Sequence, residues 1–256
     1  MIDPLAVVDP SAIIAEDAQI GPFNVIGPEV EIGSGTVVGP HNVIKGPTTI
    51  GKNNRIFQFC SIGEDTPDLK YKGEKTRLVI GDGNVIREGV TIHRGTVQDR
   101  SETRIGNENL IMAYVHIGHD SIIHNKTILV NNVALAGHVE VGDWAIISGF
   151  SSLHQYCSVG AHSFIGAHAW VTQDVPAYVL VAGSPPKPRT INAEGLKRRD
   201  FSSDQIRCLQ RAYKTVYRKG LELSDAIDLL KSDQEFSDIL APLIATLETS
   251  ERGILR

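Results

Sequence analysis

The sequence predicts a mainly β protein, a parallel β-helix of hexapeptide repeats followed by a C-terminal α-helical domain. Three observations carry that expectation. Apolar residues recur every six positions through most of the chain, the repeat stops at a proline-rich stretch, and the residues beyond it place their apolar side chains at helical spacing.

The repeat is sought first because a missed period misassigns the whole fold. Apolar residues stand six apart at Val8, Ile14, Ile20, Ile26, Ile32, Val38, Ile44, Ile50, Ile56 and Ile62, resume at Ile80, Ile86 and Ile92, and run from Ile105 to Val171. A period of six fits neither an amphipathic helix nor an alternating strand. A second small or apolar residue usually stands four places on, so each hexad reads as a short strand closed by a turn that Gly or Asn accepts. Three hexads make an eighteen-residue coil, and stacked coils bury one aliphatic ladder along the axis. Ile and Val suit such strands because branching at Cβ packs well on a pleated surface.

Two polar segments interrupt the repeat. Ile62 and Ile80 differ by eighteen, so the segment near 63–79 is expected to replace one circuit without loss of phase. Ile92 and Ile105 differ by thirteen, so one residue is expected to loop out near 96–104. Polar excursions from a rigid scaffold are common carriers of binding groups. The β-helix is assigned to residues 1–184. Pro185, Pro186 and Pro188 preclude regular helix and mark a linker opening the 185–256 segment. Ser202 or Ser203 can cap a helix bearing Ile206, Leu209, Ala212, Tyr213, Val216 and Tyr217. Ser224 is a candidate start for a second, and 236–247 supply a third, together covering the otherwise unpaired last coil.

Composition narrows the function classes. A hydrophobic content of 41% is that of a soluble protein, and a net charge of −5 gives no field to draw in nucleic acid. Asp3, Asp9, Glu16 and Asp17 stand where a signal peptide needs a basic start and an apolar run, and no later stretch is long and apolar enough to span a bilayer. A cytoplasmic protein without stable membrane insertion is expected. Cys60, Cys157 and Cys208 lack metal-type spacing and read as buried free thiols. Aromatic residues are only 6% of the chain, so Ile and Val must fill the interior.

The chemical signal is a cluster of histidines in YVHIGHD, LAGHVEV and LHQYC. Adding eighteen moves one coil along the same wall, which puts His119, Gly137 and Gln155 in one column, Asp120, His138 and Tyr156 in the next, and Gly118, Ala136 and His154 in a third. His119, His138 and His154 thus share one edge. Imidazole, with an unperturbed pKa of about 6.5, suits a general base without special tuning. Asp120 or a backbone carbonyl could fix the His119 tautomer, and Gly137 would leave a backbone N–H open to an anion developing on a thioester carbonyl. His41, His124 and His168 read as surface residues. Zinc between subunits is the sharper rival reading for the cluster, with His116, His119 and His138 as its candidates. A non-catalytic scaffold is the blandest.

HIGHD, LAGHVEV and LHQYC, with DLKYKGE, VTIHRGTVQD, DVPAYV and INAEGLKRR, resemble the UDP-N-acetylglucosamine 3-O-acyltransferases that begin lipid A synthesis, and the likeness spans the chain. That resemblance implies a left-handed β-helix, a homotrimer with its sites between adjacent subunits, and transfer of a (3R)-3-hydroxyacyl group from acyl carrier protein to the 3-hydroxyl of UDP-N-acetylglucosamine. Neither cofactor nor metal is implied. His119 matches the catalytic base, Gly137 the oxyanion donor, and Asp120 the residue that orients His119. Asp68, Lys70, His116, His138 and Gln155 match positions that hold the substrates, and His154 stands beside them. Asn192, Glu194, Arg198 and Arg199 match positions meeting the nucleotide and its diphosphate. The basic residues of the tail offer a landing surface for the acidic carrier. Ala167 stands where many members carry a Gly and where side-chain bulk sets acyl length, so its methyl group implies a chain somewhat shorter than a Gly would allow. The resemblance does not fix whether the accepting group is the 3-hydroxyl or the amine of a 3-amino sugar.

Overall fold

In the computed structural model, which describes residues 1–256, the hexads stack into a left-handed β-helix of triangular section. Its handedness departs from the right-handed crossover that most parallel strands follow. Three parallel walls run its length. Wall I has nine strands from Val7–Val8 to Trp170–Val171, and wall II has eight from Ile13–Ile14 to Ser158–Val159. Wall III starts at Gln19–Ile20 and reaches Val179–Ala182, with an antiparallel strand, Lys187–Ile191, added at its far edge. Neighbouring coils pair eighteen residues apart, as in Val25 with Val43 and Ala134 with Ser152.

The period-six residues all point inward, and Ile26, Ile44, Ile62, Ile92, Ile105, Ile117 and Leu135 are among those fully buried. Buried polar groups are satisfied by ladders that repeat with the coils. Asn54 accepts the Asn84 N–H, Asn84 accepts that of Asn109, and Asn109 accepts that of Thr127, at 2.8–2.9 Å. Within the coils the aromatic residues stand mostly at the corners, with Phe23, Phe59, Tyr114, Phe150 and Tyr156 exposed. Many corner residues take the left-handed conformation, among them Phe23, His41, Phe59, Asp120, His138, Tyr156, Trp144 and His162. That conformation costs a non-glycine residue roughly 1–2 kcal/mol. Rings one coil apart stack, as in Phe23–His41 at 4.9 Å and His138–Tyr156 at 4.3 Å between centroids, and each stack returns about 0.5–1.5 kcal/mol.

Both excursions differ from their sequence reading. Ile50 pairs with Ile80 and Ile62 with Ile92, thirty apart instead of eighteen, so the first excursion inserts twelve residues into a coil and replaces none. Ile80 pairs with Ile105 and Ile92 with Ile117, twenty-five apart, so the second inserts seven residues where one was expected. Spacing alone could not separate a missing hexad from a longer corner. Each excursion leaves the helix between walls I and II.

The proline stretch is only partly a linker. Pro188 lies within the edge strand Lys187–Ile191, beside a register shift that spares its missing N–H. Helix α1 (Ala193–Lys197) follows, then α2 (Ser203–Arg218), α3 (Leu223–Lys231) and α4 (Ser237–Glu248). Ser202 caps α2 in a reciprocal box with Gln205, worth about 1 kcal/mol. Ser224 lies inside α3, whose cap position is Glu222. The tail closes the open end of the β-helix as expected: Thr246 Oγ1 accepts the Ala177 N–H at 3.1 Å, and the Leu255 N–H donates to the Asp174 carbonyl at 2.8 Å. One continuous apolar core joins coils and helices.

Candidate active site

The corner between walls I and II gathers most of the expected residues because every coil turns there in the same phase. From one coil to the next it presents the first excursion, the second excursion, His119–Asp120, Gly137–His138 and Gln155–Tyr156. The columns are as the spacing requires: the His138 N–H donates to the His119 carbonyl at 2.9 Å, and the Tyr156 N–H to that of Gly137 at 3.3 Å.

His119 Nδ1 lies 2.8 Å from Asp120 Oδ2. A carboxylate only accepts, so Nδ1 carries the proton and Nε2 has its lone pair free. The Asp120 side chain is fully buried, and the His119 side chain keeps 15% of its exposure, enough to meet a substrate. Burial pushes the Asp120 carboxyl up, but hydrogen bonds from His119, from the Thr96 N–H at 2.9 Å and from the Thr96 hydroxyl at 2.7 Å outweigh it and hold the group ionised, below its ordinary pKa. The His119 ring lies against Gly137, where a Cβ would stand 2.6 Å from both Cε1 and Nε2. Only glycine leaves the ring its place. The Gly137 N–H donates to nothing within the chain.

His138 meets His119 edge to face at 4.9 Å and stacks on Tyr156. Its Nδ1 faces Asp99 Oδ2 at 2.8 Å. His116, on wall I, hydrogen-bonds the Thr91 hydroxyl at 2.9 Å, and burial, with His93 and His119 nearby, pushes it below the ordinary histidine range. His154 is half-buried and turns Nδ1 to the Gln155 carbonyl at 3.0 Å. From Gln155 and His154 a groove of about 560 Å³ crosses wall I past Ser152, Ala169 and Trp170 to Phe150 and His168.

The ligating atoms of His119, Asp120 and His138 lie within 4.8 Å of one another, the spacing a metal needs. The donor set argues for proton transfer instead, since both Asp120 oxygens bind Thr96 and each Nδ1 already faces a carboxylate. The cysteines add no ligand. All three are buried, and burial pushes the Cys60 and Cys157 thiols up to about 11.

Residues 174–255 match the family model described as UDP N-acetylglucosamine O-acyltransferase, domain 2, and residues 11–46 match that of the bacterial transferase hexapeptide. An acyl-[acyl-carrier-protein]–UDP-N-acetylglucosamine O-acyltransferase of Pseudomonas syringae pv. tomato is 62% identical over all of this chain and 99% of its own length. The same-named protein of Saccharophagus degradans is 57% identical, again over all of this chain and 99% of its own. The chain belongs to the UDP-N-acetylglucosamine O-acyltransferase family. The solved UDP-N-acetylglucosamine acyltransferase of Francisella novicida superposes with a TM-score of 0.98 at 48% identity, covering all of this chain and 94% of that one. The Acinetobacter baumannii structure gives 0.97 at 49% identity, over 100% and 99%.

Not every residue expected of a UDP-N-acetylglucosamine O-acyltransferase site comes together within one chain. Asp68 and Lys70 lie on the first excursion, two coils from His119 on the same corner. Ala167 sits on the corner between walls III and I, next to His168 at the far end of the groove. Asn192 and Arg199 lie on the third corner: Asn192 donates to the His162 carbonyl at 3.0 Å, and the Arg199 guanidinium donates to the Trp144 carbonyl at 2.8 Å and stacks on the Trp144 ring. Glu194 and Arg198 are exposed beside them, with Glu194 paired to Lys197. Sequence reasoning missed Thr96 and Asp99, which hold the two central ring systems. The polar character of their excursion was the available signal.

Proposed function

We propose that the protein transfers a (3R)-3-hydroxyacyl group from acyl carrier protein to the 3-hydroxyl of UDP-N-acetylglucosamine, in the cytoplasm, as the first step of lipid A synthesis. One observation carries the reading: an imidazole fixed by a buried carboxylate lies against a side-chain-free glycine whose N–H is unengaged. His119 Nε2 takes the proton of the sugar hydroxyl as its oxygen attacks the thioester carbon. The Gly137 N–H receives the developing oxyanion, a kind of donor worth about 2.7–4 kcal/mol. Collapse breaks the carbon–sulfur bond, and the proton held on His119 passes to the leaving thiolate. Asp120 keeps Nδ1 protonated throughout and offsets the charge of the imidazolium.

The nucleotide-facing set of Asn192, Glu194, Arg198 and Arg199 lies a corner away from His119 in its own chain. A homotrimer supports one reading of both sets, with a neighbouring copy bringing its tail to the His119 corner. The basic tail supports docking of the acidic carrier. Acyl chain in the wall I groove runs toward Ala167, whose methyl group shortens the preferred donor, though a hydrophobic pocket discriminates one methylene by only about 1–3 kcal/mol.

Mass spectrometry of the product formed from mixed acyl carrier proteins, with UDP-N-acetylglucosamine and its 3-amino analogue as acceptors, tests donor and acceptor together. His119→Ala is expected to lower kcat/KM by about 10³-fold with little change in Tm. Substantial residual transfer would sink the assignment of the base. Equal use of acyl chains of every length would remove the role of Ala167.

A further inference from the structure

The segment His93–Asp99 reaches three parts of the wall I/II corner: the first excursion, Asp120 and His138. The Arg94 side chain is almost fully buried beneath the first excursion. Its guanidinium donates to the Gly63 carbonyl, to the Asp65 carboxylate and, at 3.1 Å, to the Tyr71 hydroxyl. Tyr71 in turn reaches the Glu74 carbonyl at 3.1 Å, so one guanidinium ties the entering limb of the excursion to its returning one. His93 adds a second hold by donating from Nδ1 to the Asp65 carbonyl at 2.8 Å. Between these anchors a short turn carries Asp68 and Lys70, closed by the Lys70 N–H on Asp68 Oδ1 at 2.9 Å and the Tyr71 N–H on the Asp68 carbonyl at 3.0 Å.

Two residues past Arg94, Thr96 holds Asp120 and through it His119. Three further on, Asp99 holds Nδ1 of His138, fixing the tautomer with Nε2 unprotonated. The segment is itself braced: the Gly95 N–H donates to the Arg77 carbonyl at 3.3 Å, and the Ser101 N–H closes back on the Thr96 carbonyl at 3.0 Å.

We propose that His93–Asp99 is a positioning strut that sets the acceptor-carrying excursion in register with the base, Arg94 acting on the excursion and Asp99 acting on His138. The proposal rests on the acyl-transfer reading for its kinetic part alone. A strut that only stabilised the fold would lower Tm and cost every kinetic constant alike. A positioning strut divides the losses between its two ends, because each end holds a different part of the site.

Three variants, Arg94→Ala, Arg94→Lys and Asp99→Asn, test it on the full-length protein. Arg94→Ala is expected to raise KM for UDP-N-acetylglucosamine about tenfold with kcat within about threefold of wild type, since misplacement of a binding group is costly even away from the chemistry. It also speeds tryptic cleavage at Lys70 and Lys72. Arg94→Lys, with one charged head in place of a fork, recovers part of both. Asp99→Asn is expected to lower kcat about tenfold at unchanged KM, and to mix the His138 tautomers in two-bond proton–nitrogen spectra of histidine-labelled protein. The strut is overturned if Arg94→Ala leaves KM and cleavage unchanged, or if all three variants lose kcat and KM in step with Tm. Cleavage and tautomer need no turnover. If they shift as expected while wild-type protein makes no 3-O-acyl product, the reaction is wrong and the strut stands.

Discussion

Two corners of the same prism each carry a ring-stacked histidine in the left-handed backbone conformation, His138 at one and His162 at the other, and they do opposite things with it. At the wall I/II corner, His119 and His138 each turn Nδ1 to a carboxylate and leave Nε2 free. At the wall II/III corner, His162 lies between Trp144 and Tyr178, accepts a hydrogen bond from Arg199 at 3.1 Å, and is pushed down to about 4 by burial and then by the Arg199 charge. The repeat supplies the same slot at both corners. What fills the space outside the slot decides the chemistry: an inserted excursion carrying Thr96 and Asp99 at one corner, a helical tail carrying Arg199 at the other.

The largest expected effect comes from adding one methyl group at the first corner. In Gly137→Ala the new Cβ stands 2.6 Å from the His119 ring with no flexible side chain to yield except the base itself. Displacing the ring harms the proton transfer and the approach to the Gly137 N–H together, and kcat should fall by about 10³-fold. Pre-steady-state turnover measures it directly, and a loss under tenfold would show that the ring and the glycine are not the coupled pair described here. Asp120→Asn should cost somewhat less, about 10²-fold in kcat. The amide can still accept from His119 Nδ1, but it brings an NH₂ group to a pocket where the Thr96 N–H and hydroxyl both need acceptors. Thr96→Val in the same background separates the two causes: if the amide clash dominates, removing the hydroxyl restores part of the rate. A milder change is Tyr156→Ala. The stack on His138 is worth about 0.5–1.5 kcal/mol, which places the loss in kcat between about two- and tenfold. Unchanged kcat would mean that Asp99 alone holds the ring.

The first corner was largely legible because column geometry follows from the period of the repeat. Once Ile117, Leu135 and Leu153 are recognised as inward residues, His119, Gly137 and Gln155 must line up. The partners that fix them were not legible. Asp99 lies thirty-nine residues from His138, on an insertion whose length the spacing of Ile92 and Ile105 left ambiguous. The second corner was hidden for a different reason. Arg198 and Arg199 were expected at the substrate, but a chain read singly gives no rule for which edge a tail of helices returns to. That choice rests on Asn192, Arg199 and the packing of Phe201 against His162 and Tyr178, contacts made across more than twenty residues.

The smallest effect is on stability, and two histidines contribute to it with opposite sign. His162 has a folded pKa of about 4, below the 6.5 of a free imidazole, because burial and Arg199 disfavour its charge. The unfolded chain therefore binds the proton first, and stability is complete above about pH 6.5 and lost as pH falls toward 4. His124, on wall II, works in the opposite direction: its bond to Glu140 raises its pKa, so its contribution is full at low pH and lost as pH rises past its folded value. His162→Gln keeps an acceptor for Arg199 and removes the titration, while leaving His124 as it was. The difference in Tm between wild type and His162→Gln should widen as pH falls from 6.5 to 5. Parallel Tm profiles would mean that His162 titrates as a solvated residue, and that Arg199 is held at this corner by Trp144 alone.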